Sequence, residues 1–366
     1  MYYNWQQKDW RNFSYEKDDL ETLLYSFEHK VGMLRGLSRG LDREQHTQVM
    51  VDIMVNEAIK TSEIEGEFIS RKDVMSSIKN NLNLYDKEPI KDKRAAGIGN
   101  LVTTIQNSYS SPLTSEMLFD WHKKLLTHET HISLGKWRTH EEPMQVVSGA
   151  MGRQIVHFQA PPSEQVNQEM TYFINWFNNT SPIGSTPIAQ APIRAAIAHL
   201  YFETIHPFED GNGRIGRAIA EKALIQTLGY PLLISLSTHI ENDKKTYYKK
   251  LQQGQSSNEI TEWIHFFVDI ILKALEYSEQ MLDFTLQKTK LLDRFNSQLN
   301  ERQLKVVHRM LSEGPKGFEG GMTARKYVGI TKTSKATATR DLQFLLGIGI
   351  FELRGKGRSV SYRLNL

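Results

Sequence analysis

The chain has 366 residues, 39% hydrophobic and 24% charged, with a formal net charge of +3 and no cysteine. That length supports one large core and a smaller satellite. The near-neutral total excludes a polycation, so any nucleic-acid affinity needs a local patch; the missing cysteine excludes disulfides, thiolate metal sites and thiol nucleophiles.

Met1 to Gln6 has neither the basic nor the apolar stretch of a secretory leader. The longest apolar run, Trp263 to Leu275, is broken by His265, Asp269 and Lys273, and a membrane span needs about 20 apolar residues. A cytoplasmic protein with no membrane segment is expected. Residues 15–60 predict helices, because Leu20, Leu23, Leu24, Phe27 and Val31 recur at helical spacing, as do Val49, Ile53, Met54, Ala58 and Ile59. The second run leads into Thr61-Ser62-Glu63-Ile64-Glu65-Gly66, where the glycine suits a helix end. A further helix is expected from Arg94 to Ser108, and the next opens with Thr114 or Ser115 as its cap. Glycines and prolines punctuate 133–162, around the β-prone stretches Met144 to Val147 and Ile155 to Phe158. They predict a small hairpin inside a helical domain.

Helices are expected over Ile193 to Ile205 and Arg214 to Leu228, with a loop between them. That loop and the next helix start read Ile205-His206-Pro207-Phe208-Glu209-Asp210-Gly211-Asn212-Gly213-Arg214-Ile215-Gly216-Arg217. These residue types suit a phosphate chain. Glycines let backbone N–H groups crowd an anion, and a helix N-terminus offers free donors and partial positive charge. Arg214 and Arg217, three apart on one face, can grip phosphate oxygens. Asp210 can hold phosphate-bound Mg²⁺, and His206 can take a proton near neutral pH. The glycine spacing also fits a dinucleotide-binding fingerprint, but that requires a preceding strand. Ala195 to Thr204 is alanine-rich and helical, so this alternative is set aside.

Trp263 to Phe295 predicts a long helix in one or two pieces. Beyond it, helices are expected over Glu301 to Leu311, Thr323 to Val328 and Ser334 to Leu346. A hairpin of Ile350 to Arg354 and Ser359 to Leu364 follows, turning at Gly355-Lys356-Gly357. Leu299 to Leu366 holds 13 Lys and Arg against 5 Asp and Glu, a net of +8, which leaves −5 for the remainder. The helix from Ser334 to Asp341 is small and polar, as a major-groove reader would be. Arg354, Lys356 and Arg358 could meet phosphates.

The segment from His206 to Arg217 resembles the Fic-family signature His-Pro-Phe-x-Asp/Asn-Gly-Asn-Gly-Arg-x-x-Arg, with every fixed position filled. The resemblance implies a mainly α fold: a Fic-type helical core with a β-hairpin flap, plus a C-terminal winged helix-turn-helix. The divisions are an N-terminal helical extension over 1–110, the core over 111–275, a helical linker over 276–298 and the winged helix over 299–366. It implies an AMP transferase acting on a Ser, Thr or Tyr hydroxyl of a protein, itself included. ATP is the substrate and Mg²⁺ the metal; the target protein is not specified. His206 becomes the catalytic base and Asp210 the metal ligand. Gly211, Asn212, Gly213, Arg214, Gly216 and Arg217 hold the phosphates, and Phe208 anchors the loop. The hairpin becomes the flap that pairs with the target strand, with Val156, His157, Phe158 and Gln159 as contact residues bordering the nucleotide. Tyr247, Tyr248 and Gln255 fall on the adenine side.

Thr61, Glu65 and Gly66 resemble the family's inhibitory motif, Ser/Thr-x-x-x-Glu-Gly/Asn. By this likeness Glu65 pairs with Arg217 and keeps it from the γ-phosphate. In some relatives the same glutamate serves AMP removal. Dimers are common in the family, so a homodimer is expected. The alternative reading is a DNA-binding regulator, contacting DNA through 299–366, whose Fic core senses nucleotide. A protein-docking role for the tail and transfer of another phosphate-bearing group also stay open.

Overall fold

The structure, a computed structural model, describes residues 2–84, 87–148, 155–355 and 360–366. It is mainly helical, with two antiparallel hairpins. In chain order the helices are α1 (Glu21–Arg39), α2 (Arg43–Ile64), α3 (Arg71–Asn81), α4 (Lys93–Ser108), α5 (Ser115–Leu125), α6 (Ser163–Asn179), α7 (Ala191–Ile205) and α8 (Asn212–Leu228). They continue with α9 (Leu236–Asn242), α10 (Lys244–Gly254), α11 (Thr261–Phe295), α12 (Glu301–Leu311), α13 (Ala324–Thr331) and α14 (Lys335–Gly347). Strands β1 (Gln145–Ser148) and β2 (Ile155–Gln159) lie between α5 and α6; β3 (Phe351–Arg354) and β4 (Ser361–Leu364) follow α14. The chain divides into two compact units. One is Met1–Met33 with Met50–Tyr277; the other is Leu34–Val49 with Ser278–Leu366.

In the first unit α7 is the centre. All its residues are buried, including Arg194, His199 and Glu203. A helix apolar on every side must be enclosed on every side, and Pro192 suits its first turn. Its most extensive partner is α8. Their close approach depends on Gly216: a methyl there would collide with Glu203 Oε1 and crowd His199. Gly216→Ala should therefore destabilise the fold by about 1–3 kcal/mol, the usual cost of overpacking. A thermal melt checks this; an unchanged midpoint would mean the carboxyl moves aside freely. The start of the chain belongs to this unit too. Asn4 is buried, with its N–H on Gln255 O at 2.9 Å, and Trp5 Nε1 donates to Gln159 O at 2.8 Å.

The hairpin predicted around 144–159 is present as β1 and β2, with a register shift between Val146 and Val147. Its glycines 149 and 152 lie outside the described residues. Thr114 is the cap of α5, accepting from Met117 N. The long helix expected near 263–295 forms one piece, α11.

In the second unit α12 opens with a reciprocal capping box, Asn300 with Gln303. Its core includes Phe295, Val306, Met310, Tyr327, Leu342, Leu345 and Phe351. Inside α14, buried Asp341 accepts from Tyr327 Oη at 2.8 Å and Gln303 Nε2 at 3.1 Å. This carboxylate fixes α14 against α12 and α13. Strand β4 pairs with β3 and also bridges Met322 to Tyr362. Lys356, Gly357 and Arg358, named above for the turn and its phosphate contacts, lie outside the described residues.

Candidate active site

The turn between α7 and α8 is held in an uncommon shape. His206 closes α7 with a left-handed backbone, φ 50° and ψ 60°. A non-glycine residue stays there only when its surroundings enforce it. Arg138 does so. Its Nε donates to His206 O at 2.8 Å, and its own N–H donates to Pro207 O at 2.9 Å. The same guanidinium reaches Pro161 O at 2.5 Å and Ser163 Oγ at 2.8 Å, just past β2. Burial lowers the Arg138 pKa to about 10, which leaves it charged near neutral pH.

Asn212 ties the other side of the loop. Its Oδ1 accepts from Phe208 N at 2.9 Å and its Nδ2 donates to Phe208 O at 2.8 Å. The Asn212 side chain is thereby committed to the loop, leaving its backbone N–H at the first turn of α8 for an anion. Phe208 is fully buried and stacks on His122 at 4.1 Å between centroids.

A cavity of about 790 Å³ opens over this turn, entirely within the first unit. His206, Asp210, Gly211, Asn212, Gly213 and Arg217 line one side, and Tyr247, Tyr248 and Gln255 the other. His157 and Phe158 line it from β2. Val156 and Gln159 do not. Val156 is exposed, and Gln159 accepts from Gln145 Nε2 outside. Gly216 does not line it either: its role is the contact with Glu203 described above. Tyr247 is buried and spends its hydroxyl on His199 at 2.7 Å, so of the two it is Tyr248, 36% exposed and packed against Tyr247 at 5.1 Å, whose ring is the more open to the cavity. Gln255 Nε2 is taken by Glu203 O at 3.1 Å.

Burial, then the nearby Arg138 charge, lowers the His206 pKa to about 4. Burial raises that of Glu203 to about 8. Their side chains are 3.7 Å apart, and with both neutral near pH 7 they form no ion pair. The imidazole at the cavity wall is held neutral, and its Nδ1 is buried without a hydrogen-bond partner.

The first turn of α8 already holds a negative charge. Glu65, just past α2, places its carboxylate where a side chain on Gly213 would stand. It accepts from Arg217 at 2.7 Å, while Arg217 Nε donates to Thr61 Oγ1 at 2.7 Å and another N–H reaches Thr61 O at 3.0 Å. Burial pushes the Glu65 pKa up, but Arg217, with help from Arg214 and Lys244, pulls it below the ordinary carboxylate range. The Lys244 ammonium also donates to Ile64 O at the end of α2. Arg214 turns from the cavity and pairs with Glu67 at 2.8 Å.

Sequence reasoning missed Glu67, Arg138, Glu203 and Lys244. None of the four falls at a motif position, and Glu67, two residues past the motif glutamate, is set apart from a solvated acid only by the turn at Gly66.

Asp210 is at the cavity mouth, its side chain 54% exposed. One oxygen accepts from Gly211 N at 2.5 Å. Among the described residues no cluster of three or more His, Cys, Asp or Glu could cage a metal. A single open carboxylate fits Mg²⁺ arriving with phosphates, which completes its shell with their oxygens and water.

Residues 112–224, from the start of α5 through the turn into α8, match the model of the Fic/DOC family. The chain carries a Fic/DOC domain. Residues 3–84, ahead of that domain, match a domain of unknown function, DUF4172. The chain is 23% identical over 259 residues to protein adenylyltransferase fic-1 of Caenorhabditis elegans, covering 69% of this chain and 46% of the relative. It is 28% identical over 165 residues to protein adenylyltransferase Fic of Nematostella vectensis, covering 45% and 33%. The chain thus spans less than half the length of these relatives. Among solved structures, a Fic family protein from Desulfovibrio desulfuricans G20 aligns over 94% of this chain and 96% of its own, at TM-score 0.52 and 18% identity. A Fic domain containing signaling protein from Bacteroides thetaiotaomicron aligns over 70% and 96%, at 0.53 and 20%. These likenesses establish the Fic fold. Among the described residues no helix is long and apolar enough to cross a membrane.

Proposed function

We propose that this protein transfers AMP from ATP to a protein hydroxyl, and that Glu65 restrains it. One observation carries the reading. An internal carboxylate already sits over the first turn of α8 and on Arg217, where a phosphate would be bound, with the neutral ring of His206 lining the same cavity. The names of the relatives, protein adenylyltransferases, support it.

In the proposed reaction His206 takes the proton from the incoming hydroxyl. The oxygen forms a bond to the α-phosphorus as the bond to the bridging oxygen breaks, and pyrophosphate leaves. Backbone N–H groups of 212 and 213 and Arg217 hold the phosphates, Arg217 once it is free of Glu65, while the Gly211 N–H stays on Asp210. Mg²⁺ on Asp210 would neutralise phosphate charge. Tyr248 offers the base an aromatic face. The flap offers a target segment main-chain partners with little sequence demand. Incubation with labelled ATP and Mg²⁺ tests this. The expected product is the protein, or an added target, heavier by one AMP and only when metal is present. Nucleotide binding with no covalent product would favour the sensor reading instead.

A second reading concerns the C-terminal unit. The outer face of α14 presents Lys335, Ala336, Thr339, Arg340 and Gln343 around a shallow groove without an acidic residue. Asp341 turns inward. A basic, small-residue helix face suits a DNA major groove, and the segment carries the local excess of +8. The full chain should shift duplex DNA in a gel. Lys335→Ala with Arg340→Ala should weaken this and lower the salt slope by about one for each phosphate no longer neutralised. An identical slope would assign the face to a protein partner.

A further inference from the structure

The end of α2 presents two carboxylates, and each holds one arginine of the motif. Gly66 takes a left-handed turn, φ 83°, and both Glu65 N and Glu67 N donate to Ser62 O, at 3.1 and 2.9 Å. This doubled backbone bond folds the chain back on the helix. Glu65 and Glu67 therefore reach α8 from one anchored turn.

Glu65 takes Arg217, as described. Glu67 Oε2 takes Arg214 NH1 at 2.8 Å, with the arginine side chain 2% exposed and the glutamate 22%. Arg214 Nε is buried without a hydrogen-bond partner, and its NH2 lies 3.8 Å from Asp210 Oδ2. Glu67 is thus the close anionic partner of an otherwise under-satisfied, sealed guanidinium. A buried donor left unpaired is costly, so Arg214 gains strongly from any oxygen that reaches it. Glu67 supplies that oxygen now; a phosphate could supply it later.

We infer that Glu67 is a second lock, withholding Arg214 from the phosphates as Glu65 withholds Arg217. This rests on the AMP-transfer reading. It implies that release takes both carboxylates off α8 together, because one turn carries both. It also links the lock to the metal-binding carboxylate, since the Arg214 that Glu67 holds lies beside Asp210.

The experiment compares initial rates of AMP incorporation in wild type, Glu67→Gln, Glu65→Gly and the double variant, with thermal melts alongside. Glu67→Gln should raise the rate by about tenfold, the scale of one charge-assisted hydrogen bond. The double variant should exceed Glu65→Gly by a similar factor. If Glu67→Gln stays at or below the wild-type rate, and the double variant only equals an active Glu65→Gly, the second lock is overturned while the transfer reading stands. If Glu65→Gly is silent as well, the transfer reading itself fails. Glu67→Asp keeps the charge but shortens the reach, so a gain of the same sign is expected even if the glutamine variant does not fold.

Discussion

His206→Ala is expected to lower AMP transfer by about 10²–10⁴-fold, the usual worth of a general base, while ATP still binds. The ring is placed rather than loose: Arg138 fixes its backbone carbonyl, and Phe208 and Asn212 fix the loop that follows. None of these contacts uses the imidazole, so the turn should survive its removal. Burial keeps the ring neutral, with a pKa of about 4 in the absence of nucleotide. Protonation costs more here than in an unfolded chain, so this ring's own contribution to stability is lost as pH drops from the ordinary imidazole value toward 4, while its neighbour Glu203, raised to about 8, contributes in the opposite sense. Single-turnover rates with calorimetric ATP binding separate chemistry from affinity. Unchanged turnover would remove His206 from the reaction, and loss of binding would make its role structural.

Glu65→Gly should act in the opposite direction, raising self-modification by about 100-fold, which corresponds to ~2.7 kcal/mol. The carboxylate is 27% exposed while its partner guanidinium is sealed at 1%. A charged pair of this geometry can supply a difference of that size. The substitution frees Arg217 of its ion pair but leaves its two bonds to Thr61, so the arginine should remain ordered. It also leaves a buried charge without its anion. The melting midpoint should fall in the absence of nucleotide and recover when ATP with Mg²⁺ is added, because phosphate replaces the carboxylate. Activity equal to wild type, measured with labelled ATP, would mean that Glu65 is not a brake.

The site was legible where its chemistry is local in the chain. The turn from His206 to Arg217 announces itself because a histidine, an acid, glycines and arginines crowd one loop. Thr61 and Glu65 are one helical turn apart and face Arg217 together, but it was the likeness to the family's inhibitory motif, and not the spacing alone, that carried the pairing. Residues that act across the fold left no such trace. Arg138 stands alone in sequence, and only folding brings it to His206 and Pro161. Glu67 looks like any solvated acid until the turn at Gly66 aims it at Arg214. Gly216 was read as a phosphate glycine because it lies between the two motif arginines, yet it serves the approach of α7 to α8. In β2, alternation alone could not tell which side faces inward. The register shift beside Val147 puts His157 and Phe158 on the cavity and leaves Val156 and Gln159 off it. The tail was legible because its helices are short, amphipathic and capped, with Asn300, Thr323 and Ser334 each at a helix start.

Arg138 gives the site one further property. The same guanidinium grips the carbonyl of residue 206 and that of residue 161, so the proposed proton acceptor and the root of the β1–β2 hairpin are riveted to a common plate. A segment laid along the flap would be aligned with the ring through one rigid side chain, without the accumulated slack of two separate loops. For the proposed transfer, this would let a visiting sequence vary in its letters while the oxygen of its hydroxyl is still brought to one place.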